Sequence, residues 1–259
     1  MGPRTAAPAL RLTGLAKKFG THRAVDGIDL TVPSGSFFGL VGPNGAGKTT
    51  TLSMAVGLLR PDAGRAEIFG TDVWADASRA KGLVGVLPDG LALPERLTGR
   101  EVLCFTGLLR GMARAEADRR ADGLLRTLGL DAAGRTLVAE YSTGMRKKIG
   151  LAAALLHAPR LLVLDEPLEA VDPVAAATVK EILRRFVRAG GSVVLSSHVM
   201  AVVEQLCDHL AVVDAGRVVA AGPLDEVRAG LSLEERFVSL VAGRSPGARG
   251  VEGLAWLAS

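Results

Sequence analysis

An α/β fold with a mostly parallel sheet is predicted by three observations in the 259-residue sequence. From residue 37 onward short apolar strands alternate with helical patterns, as expected of parallel strands covered on both faces. A glycine-rich run at 42–49 stands between a strand and a helix. The first forty residues read as short strands and turns while 79–158 reads as mostly helical, which predicts a small antiparallel β part at the N-terminus and a helical insertion in the middle.

Leu10 to Leu12 and Ile28 to Val32 read as the first strands, and Pro33-Ser34-Gly35 is the turn before the stronger run Phe37 to Val41. The chain then passes through GPNGAGKTT into a helix over Thr50 to Leu59 that Pro61 stops. Apolar residues recurring at three-to-four spacing predict helices over Arg100 to Arg110, Arg114 to Leu128 and Thr143 to Leu156. Leu161 to Leu164 is a four-residue strand, Val174 to Ala189 a helix, Val193 to Ser196 a strand and Val199 to Cys207 a helix. Leu210 to Asp214 and Arg217 to Ala220 make a hairpin around Ala215-Gly216.

Hydrophobic residues make up 48% and charged residues 22%, ordinary globular usage that excludes disordered and fibrous classes. Aromatics at 4% beside 32 glycines argue against an aromatic-rich β-sandwich. The net charge of +4 is too small to be a nucleic-acid footprint, so no nucleic-acid partner is expected. Residues 79–150 carry 13 basic and 8 acidic side chains, so the surplus is local and suits either a partner-facing segment or a solvated helical surface. Cys104 and Cys207 have neither disulfide-framework nor metal-ligand spacing and read as core thiols. The longest apolar stretch, 151–164, is interrupted by His157, Pro159 and Arg160 and falls short of the roughly 18 residues of a membrane span. The N-terminus has no apolar signal segment, so a reducing, cytosolic location is expected.

GPNGAGKT at 42–49 satisfies the phosphate-loop pattern G-x-x-x-x-G-K-[ST], with the strand before and the helix after that its mechanism requires. The predicted core is therefore that of a P-loop NTPase. Gly42, Gly45 and Gly47 permit Gly42, Pro43, Asn44, Gly45, Ala46 and Gly47 to wrap phosphates at a helix N-terminus, with every backbone N–H but the one Pro43 lacks free to converge on them. Lys48 is expected to reach the β- and γ-phosphates, Thr49 to ligate Mg²⁺ through its hydroxyl, and Thr50 to continue the binding loop. Leu161 to Leu164 ends in Asp165-Glu166, carboxylates delivered at the carboxyl end of a buried strand, where α/β sheets bind ligands. Asp165 is expected to hold Mg²⁺ and Glu166 to polarise the attacking water as general base.

In motif order the chain resembles the nucleotide-binding subunits of ATP-binding-cassette (ABC) transporters, over residues of about 10–225. YSTGMRKK at 141–148 occupies the position of that family's signature, usually LSGGQ, with Tyr141, Thr143 and Met145 departing from the pattern and Ser142 and Gly144 kept. The resemblance implies a head-to-tail dimer in which Ser142 and Gly144 of one cassette close over ATP bound to the other. The YSxGM form looks like the subset that exports drugs or lipids, of the daunorubicin-resistance type, with separately encoded membrane subunits.

Asp89 stands where the family has the Gln of its Q-loop; it can reach the metal through water, with a turn-capping role as the alternative. Asp172-Pro173 resembles the D-loop and equally suits a helix N-cap with Pro at N1. His198, closing Val193-Val194-Leu195-Ser196-Ser197, resembles the switch histidine that contacts the γ-phosphate and orients Glu166 and water. Phe19 matches the aromatic that stacks on adenine, unless it is a core residue. The implied protein is a Mg²⁺-dependent ATPase peripheral to the cytoplasmic face of the membrane, docked on permease subunits and paired with itself or a second cassette. A soluble non-transporter ABC ATPase or a regulatory ATP-binding module is the alternative. The expected division is an ATPase domain at 1–225, with its helical subdomain at about 90–158, and a C-terminal helix and tail at 226–259, where AGRSPGARG has linker composition and Leu254, Trp256 and Leu257 form a short apolar end.

Overall fold

Strand residues that alternate between two apolar environments require a sheet covered on both faces, and the central strands of this protein do so throughout. In the computed structural model, which describes residues 7–242, Leu162, Leu164, Val193, Leu195, Leu210 and Val212 face one core. Leu161, Val163, Val194, Ala211 and Val213 face the other.

The chain runs β1 (Leu10–Phe19), β2 (His22–Val32), β3 (Phe37–Val41), α1 (Lys48–Ala55), β4 (Ala63–Ile68), β5 (Thr71–Asp72), α2 (Ala77–Leu83) and β6 (Val84–Leu87). It continues through α3 (Gly99–Leu109), α4 (Arg114–Thr127), a single 3₁₀ turn at Val138–Glu140, α5 (Thr143–Leu155), β7 (Leu161–Asp165), α6 (Pro173–Arg188) and β8 (Ser192–Ser197). Then follow α7 (Met200–Leu206), β9 (His209–Asp214), β10 (Arg217–Pro223), α8 (Leu224–Arg228) and α9 (Leu233–Ala242). Four strands form an antiparallel sheet in the order β2-β1-β4-β5. Six form the main sheet, β10-β9-β3-β8-β7-β6, parallel except for β10. The small sheet and α1 share one core with one face of the main sheet; the helices from α3 onward cover the other face.

This is the α/β class expected, with three corrections of detail. The stretch 79–158, read as mostly helical, contains β6, the edge strand beside β7. The reason is Gly85, where a Cβ would lie 2.1 Å from the carbonyl oxygen of Ala154; α5 presses on so short a strand that no alternating pattern survives. The hairpin β4–β5 and helix α2 lie in a segment given no element by its pattern. Strands β1 and β2 also run well beyond their apolar cores, carried by mutual pairing through register shifts.

Between β6 and β7, three helices are locked by polar contacts. Thr98 and Glu101 form a reciprocal capping box that starts α3. Arg100 forks onto Asp122 at 2.7 and 3.2 Å and reaches Asp118 at 3.2 Å, joining α3 to α4. Both cysteines are free and buried; burial pushes the Cys104 thiol up to about 11 and the Cys207 thiol further up still. The linker and apolar end beyond residue 242, Trp256 included, lie outside the described residues.

Candidate functional site

The phosphate loop follows β3, whose five residues are all buried between β8 and β9. Backbone crowding makes two of its glycines obligatory. A Cβ at Gly42 would stand 2.2 Å from the Val213 carbonyl oxygen, and one at Gly47, with φ of 98°, would stand 2.3 Å from that of Ala24. Gly45 is also left-handed, with φ of 79°. Gly47 caps α1 through its backbone alone, leaving the first N–H groups of the helix directed at the loop's interior. Lys48, 7% exposed, donates to the carbonyls of Gly42 (2.8 Å) and Pro43 (3.1 Å). Burial lowers its pKa, and Glu166 and Asp165 oppose that shift.

Across the cleft, β7 delivers Asp165, 4% exposed, and Glu166 directly after it. Ser196 sits opposite Asp165 in the β7–β8 register. Its hydroxyl donates to Asp165 Oδ1 and accepts the Glu166 N–H at 2.9 Å, so one buried serine fixes both acids. Glu166 is a non-glycine residue at φ of 46°, a strained conformation of the kind that concentrates at functional sites. His198, past the end of β8, puts Nδ1 at 3.0 Å from Glu166 Oε1. An ionised carboxylate only accepts, so Nδ1 carries the hydrogen there and Nε2 is left available to another group.

A cleft of 470 Å³ joins these walls. Among the residues singled out in the sequence, it is lined by Phe19, Asn44, Gly45, Gly47, Lys48, Thr49, Thr50, Asp89, Asp165, Glu166 and His198. Gly42, Pro43 and Ala46 form the loop without lining the cleft. Phe19 is 49% exposed, with Lys17 Nζ 5.8 Å from its ring centroid, so the reading of it as a core residue is set aside. Asp89, exposed, borders both this cleft and a more apolar groove lined by Pro88, Leu91, Thr143 and Lys147.

Ser142 and Gly144 are away from the cleft, at the start of α5, where the Ser142 hydroxyl accepts the Met145 N–H at 3.2 Å. Tyr141 is buried because its hydroxyl donates to the Ala133 carbonyl at 2.8 Å, in a space that only glycine at 99 leaves open. Asp172 caps α6 by accepting the Ala175 N–H at 2.9 Å, with Pro173 at N1. Sequence reasoning missed His22 and Glu169, which line the cleft, and Ser196 behind it. The signal for Ser196 was a polar residue at an inward position of an apolar strand; His22 and Glu169 carried none.

A phosphate loop facing a strand-end acid pair and a histidine across one cleft, on a parallel sheet, defines a P-loop nucleotide-binding ATPase. The family model described as ABC transporter matches residues 25–169. The chain is 42% identical to the daunorubicin resistance ATP-binding protein DrrA3 of Streptomyces coeruleorubidus over 224 residues, covering 86% of this chain and 71% of that protein. A solved ATP-binding subunit of an ABC transporter matches with a TM-score of 0.83 at 31% identity, over 90% of this chain and 99% of that one. A dimeric ATP-binding cassette in a post-hydrolysis state with ADP and Pi shares the fold, with a TM-score of 0.77 at 21% identity over 83% of this chain and 98% of that one. The chain belongs to the ABC transporter family, as one of its ATPase cassettes.

Proposed function

We propose that the protein is a Mg²⁺-dependent ATPase that pairs head-to-tail with a second cassette and, through separate membrane-spanning subunits, drives export of a drug-like or lipid-like compound. The observation that carries the reading is the hydrogen-bonded set Ser196–Asp165–Glu166–His198 facing Lys48 across one cleft. Lys48 and the N–H groups at the start of α1 hold the β- and γ-phosphates. Phe19 offers an exposed ring for the adenine to stack on, with the cleft-lining Asn44 and Thr50 beside the phosphates. Glu166 takes a proton from the attacking water, a role worth roughly 10²–10⁴ in rate. His198, oriented through Nδ1, presents Nε2 to the γ-phosphate.

The donor set fits Mg²⁺: the Thr49 hydroxyl and the Asp165 carboxylate are hard oxygen ligands on one cleft, with Asp89 within its border. When bound, the ion neutralises charge on the β- and γ-phosphates. Ser196 keeps the Asp165 carboxylate pointed by a buried hydrogen bond.

Head-to-tail pairing is supported by Gly144, where a Cβ would meet only the Ala170 carbonyl at 3.5 Å and the Val171 Cα at 3.9 Å. The start of α5 at Gly144 is thus an open surface, as the closing of a second cassette over it requires. Export is supported by the daunorubicin-resistance relative. Among the described residues no helix is long and apolar enough to cross a membrane, in keeping with a peripheral subunit that docks on membrane-spanning partners at the cytoplasmic face. Phosphate release from ATP by the purified chain tests the catalytic part. Turnover with Mg²⁺ and none with excess EDTA is expected; equal rates in both contradict the assignment.

A further inference from the structure

Glu166 is the most constrained residue of the site, and the constraint comes from two directions. Its N–H is bound by Ser196 of β8 at 2.9 Å. Its carbonyl accepts a hydrogen bond of 2.6 Å from Lys147 Nζ, which reaches across from the first turns of α5. The left-handed φ of 46° that aims the carboxylate at His198 is thus held at both flanking peptide groups by side chains. A charge-assisted bond from an ammonium to a carbonyl is among the stronger neutral–ion contacts, and this one forms with the lysine side chain only 16% exposed.

Lys147 does not line the ATP cleft. It lines the neighbouring groove with Asp89 and Glu169, and its second contact, to Glu169 Oε2, is a longer 3.4 Å. Its ammonium therefore acts through the Glu166 backbone and not on the nucleotide. Lys147 also lies on the helix that Ser142 and Gly144 begin, the end taken above to meet the partner's nucleotide. Lys147 thus links α5 to the Glu166 carbonyl, whose other donor, the Glu169 N–H, is a longer 3.3 Å away.

We propose that Lys147 is a positioning residue for hydrolysis: its ammonium holds the Glu166 peptide in the left-handed conformation that aims the carboxylate, and so ties the rate of the chemical step to the placement of α5. This rests on the reading of Glu166 as the general base. It separates two properties that a merely structural lysine would change together, nucleotide affinity and kcat.

The test is steady-state ATP hydrolysis and equilibrium ATP binding by the full chain with Mg²⁺, for Lys147→Met, Lys147→Arg, Glu166→Gln and the double variant Lys147→Met/Glu166→Gln. Methionine keeps the apolar stem and removes the donor. Lys147→Met is expected to lower kcat by about 10- to 100-fold with KM and ATP affinity changed by less than about twofold, a loss confined to the transition state. Lys147→Arg, which keeps the charge and donor, is expected to recover to within about threefold of wild type. In the Glu166→Gln background, removing Lys147 is expected to lower the residual rate by less than about twofold, because residues acting as a unit are not additive.

Full kcat in Lys147→Met beside an inactive Glu166→Gln overturns the proposal and leaves the base assignment intact. An equal loss in both backgrounds, or failure of arginine to rescue, also overturns it. Wild-type turnover by Glu166→Gln overturns the reading of the base itself. Should Lys147→Met not fold, as judged by its melting curve, Lys147→Gln, which loses the charge and keeps only a shorter neutral donor, carries the same comparison: kcat at least about threefold below wild type with ATP affinity within about twofold is expected, and full kcat overturns the proposal.

Discussion

Lys48 is the residue where burial and function conflict most openly. Its ammonium is almost wholly enclosed, which lowers its pKa against the opposing Glu166 and Asp165 carboxylates, and it donates to two carbonyls of its own loop. Those carbonyls are weaker partners than the phosphates the loop is shaped for, so the side chain is poised to exchange one set for the other. Lys48→Ala is expected to weaken ATP binding by tenfold or more, about 1.4 kcal/mol, measured by equilibrium titration. Unchanged affinity would remove Lys48 from the phosphate site. The residues that could be read from the sequence are those whose chemistry is carried by contiguous spacing, Gly42 to Thr50 and Asp165-Glu166. Ser196 and Lys147 act through space, from a neighbouring strand and helix, and His22 reaches the cleft only through the fold; the sequence marks Ser196 by its polarity in an apolar strand and the other two not at all.

At the scale of elements, α5 is tied to three parts of the molecule. Its start is fixed by Tyr141 and Ser142, its first turns reach Glu166 through Lys147, and its far end presses on β6 at Gly85. Just beyond it, His157 donates from Nε2 to the Val84 carbonyl of β6 at 3.1 Å, while Nδ1 is buried with no partner among the described residues. Burial first, then the Arg110 guanidinium with a smaller effect of Arg120, push its pKa down to about 4, against the one opposing bond to Val84. A depressed histidine pKa means the unfolded chain binds the proton first. The contribution of neutral His157 to stability is therefore present above pH 6.5 and lost as the pH falls from there towards 4.

The expected consequence is that the stability of wild type relative to His157→Gln declines by about 1–2 kcal/mol between pH 7 and 5, read from denaturant unfolding of both proteins at each pH. A constant difference would contradict the assignment. The helices α3 to α6 were legible from their apolar periodicity, helped in α3, α5 and α6 by Thr98, Ser142 and Asp172 caps; α4 begins at Ala113 without one. Strand β6 was not, since four residues with a glycine under a crossing helix carry too little pattern; β4 depends on pairing with β1, β5 on pairing with β4, and α2 on packing against β4, β5 and β6.

For the whole molecule, the topology sets the phosphate loop and the acid pair on neighbouring parallel strands β3, β8 and β7, at their carboxyl ends. The signature serine and glycine lie off that cleft. A single chain thus holds Glu166, His198 and the phosphate loop together, while in the proposed function the groups that close the nucleotide in come from a second copy or second cassette. Binding should therefore assemble two chains and hydrolysis should release them. The central claim is that Glu166 separates these events, and the direct measurement is of Glu166→Gln mixed with Mg²⁺ and ATP, following both phosphate release and molecular mass by size-exclusion with light scattering. The account predicts ATP binding, loss of turnover by roughly 10²-fold or more, and a nucleotide-dependent dimer that persists. Turnover at the wild-type rate, or a chain that stays monomeric with ATP bound, would contradict it.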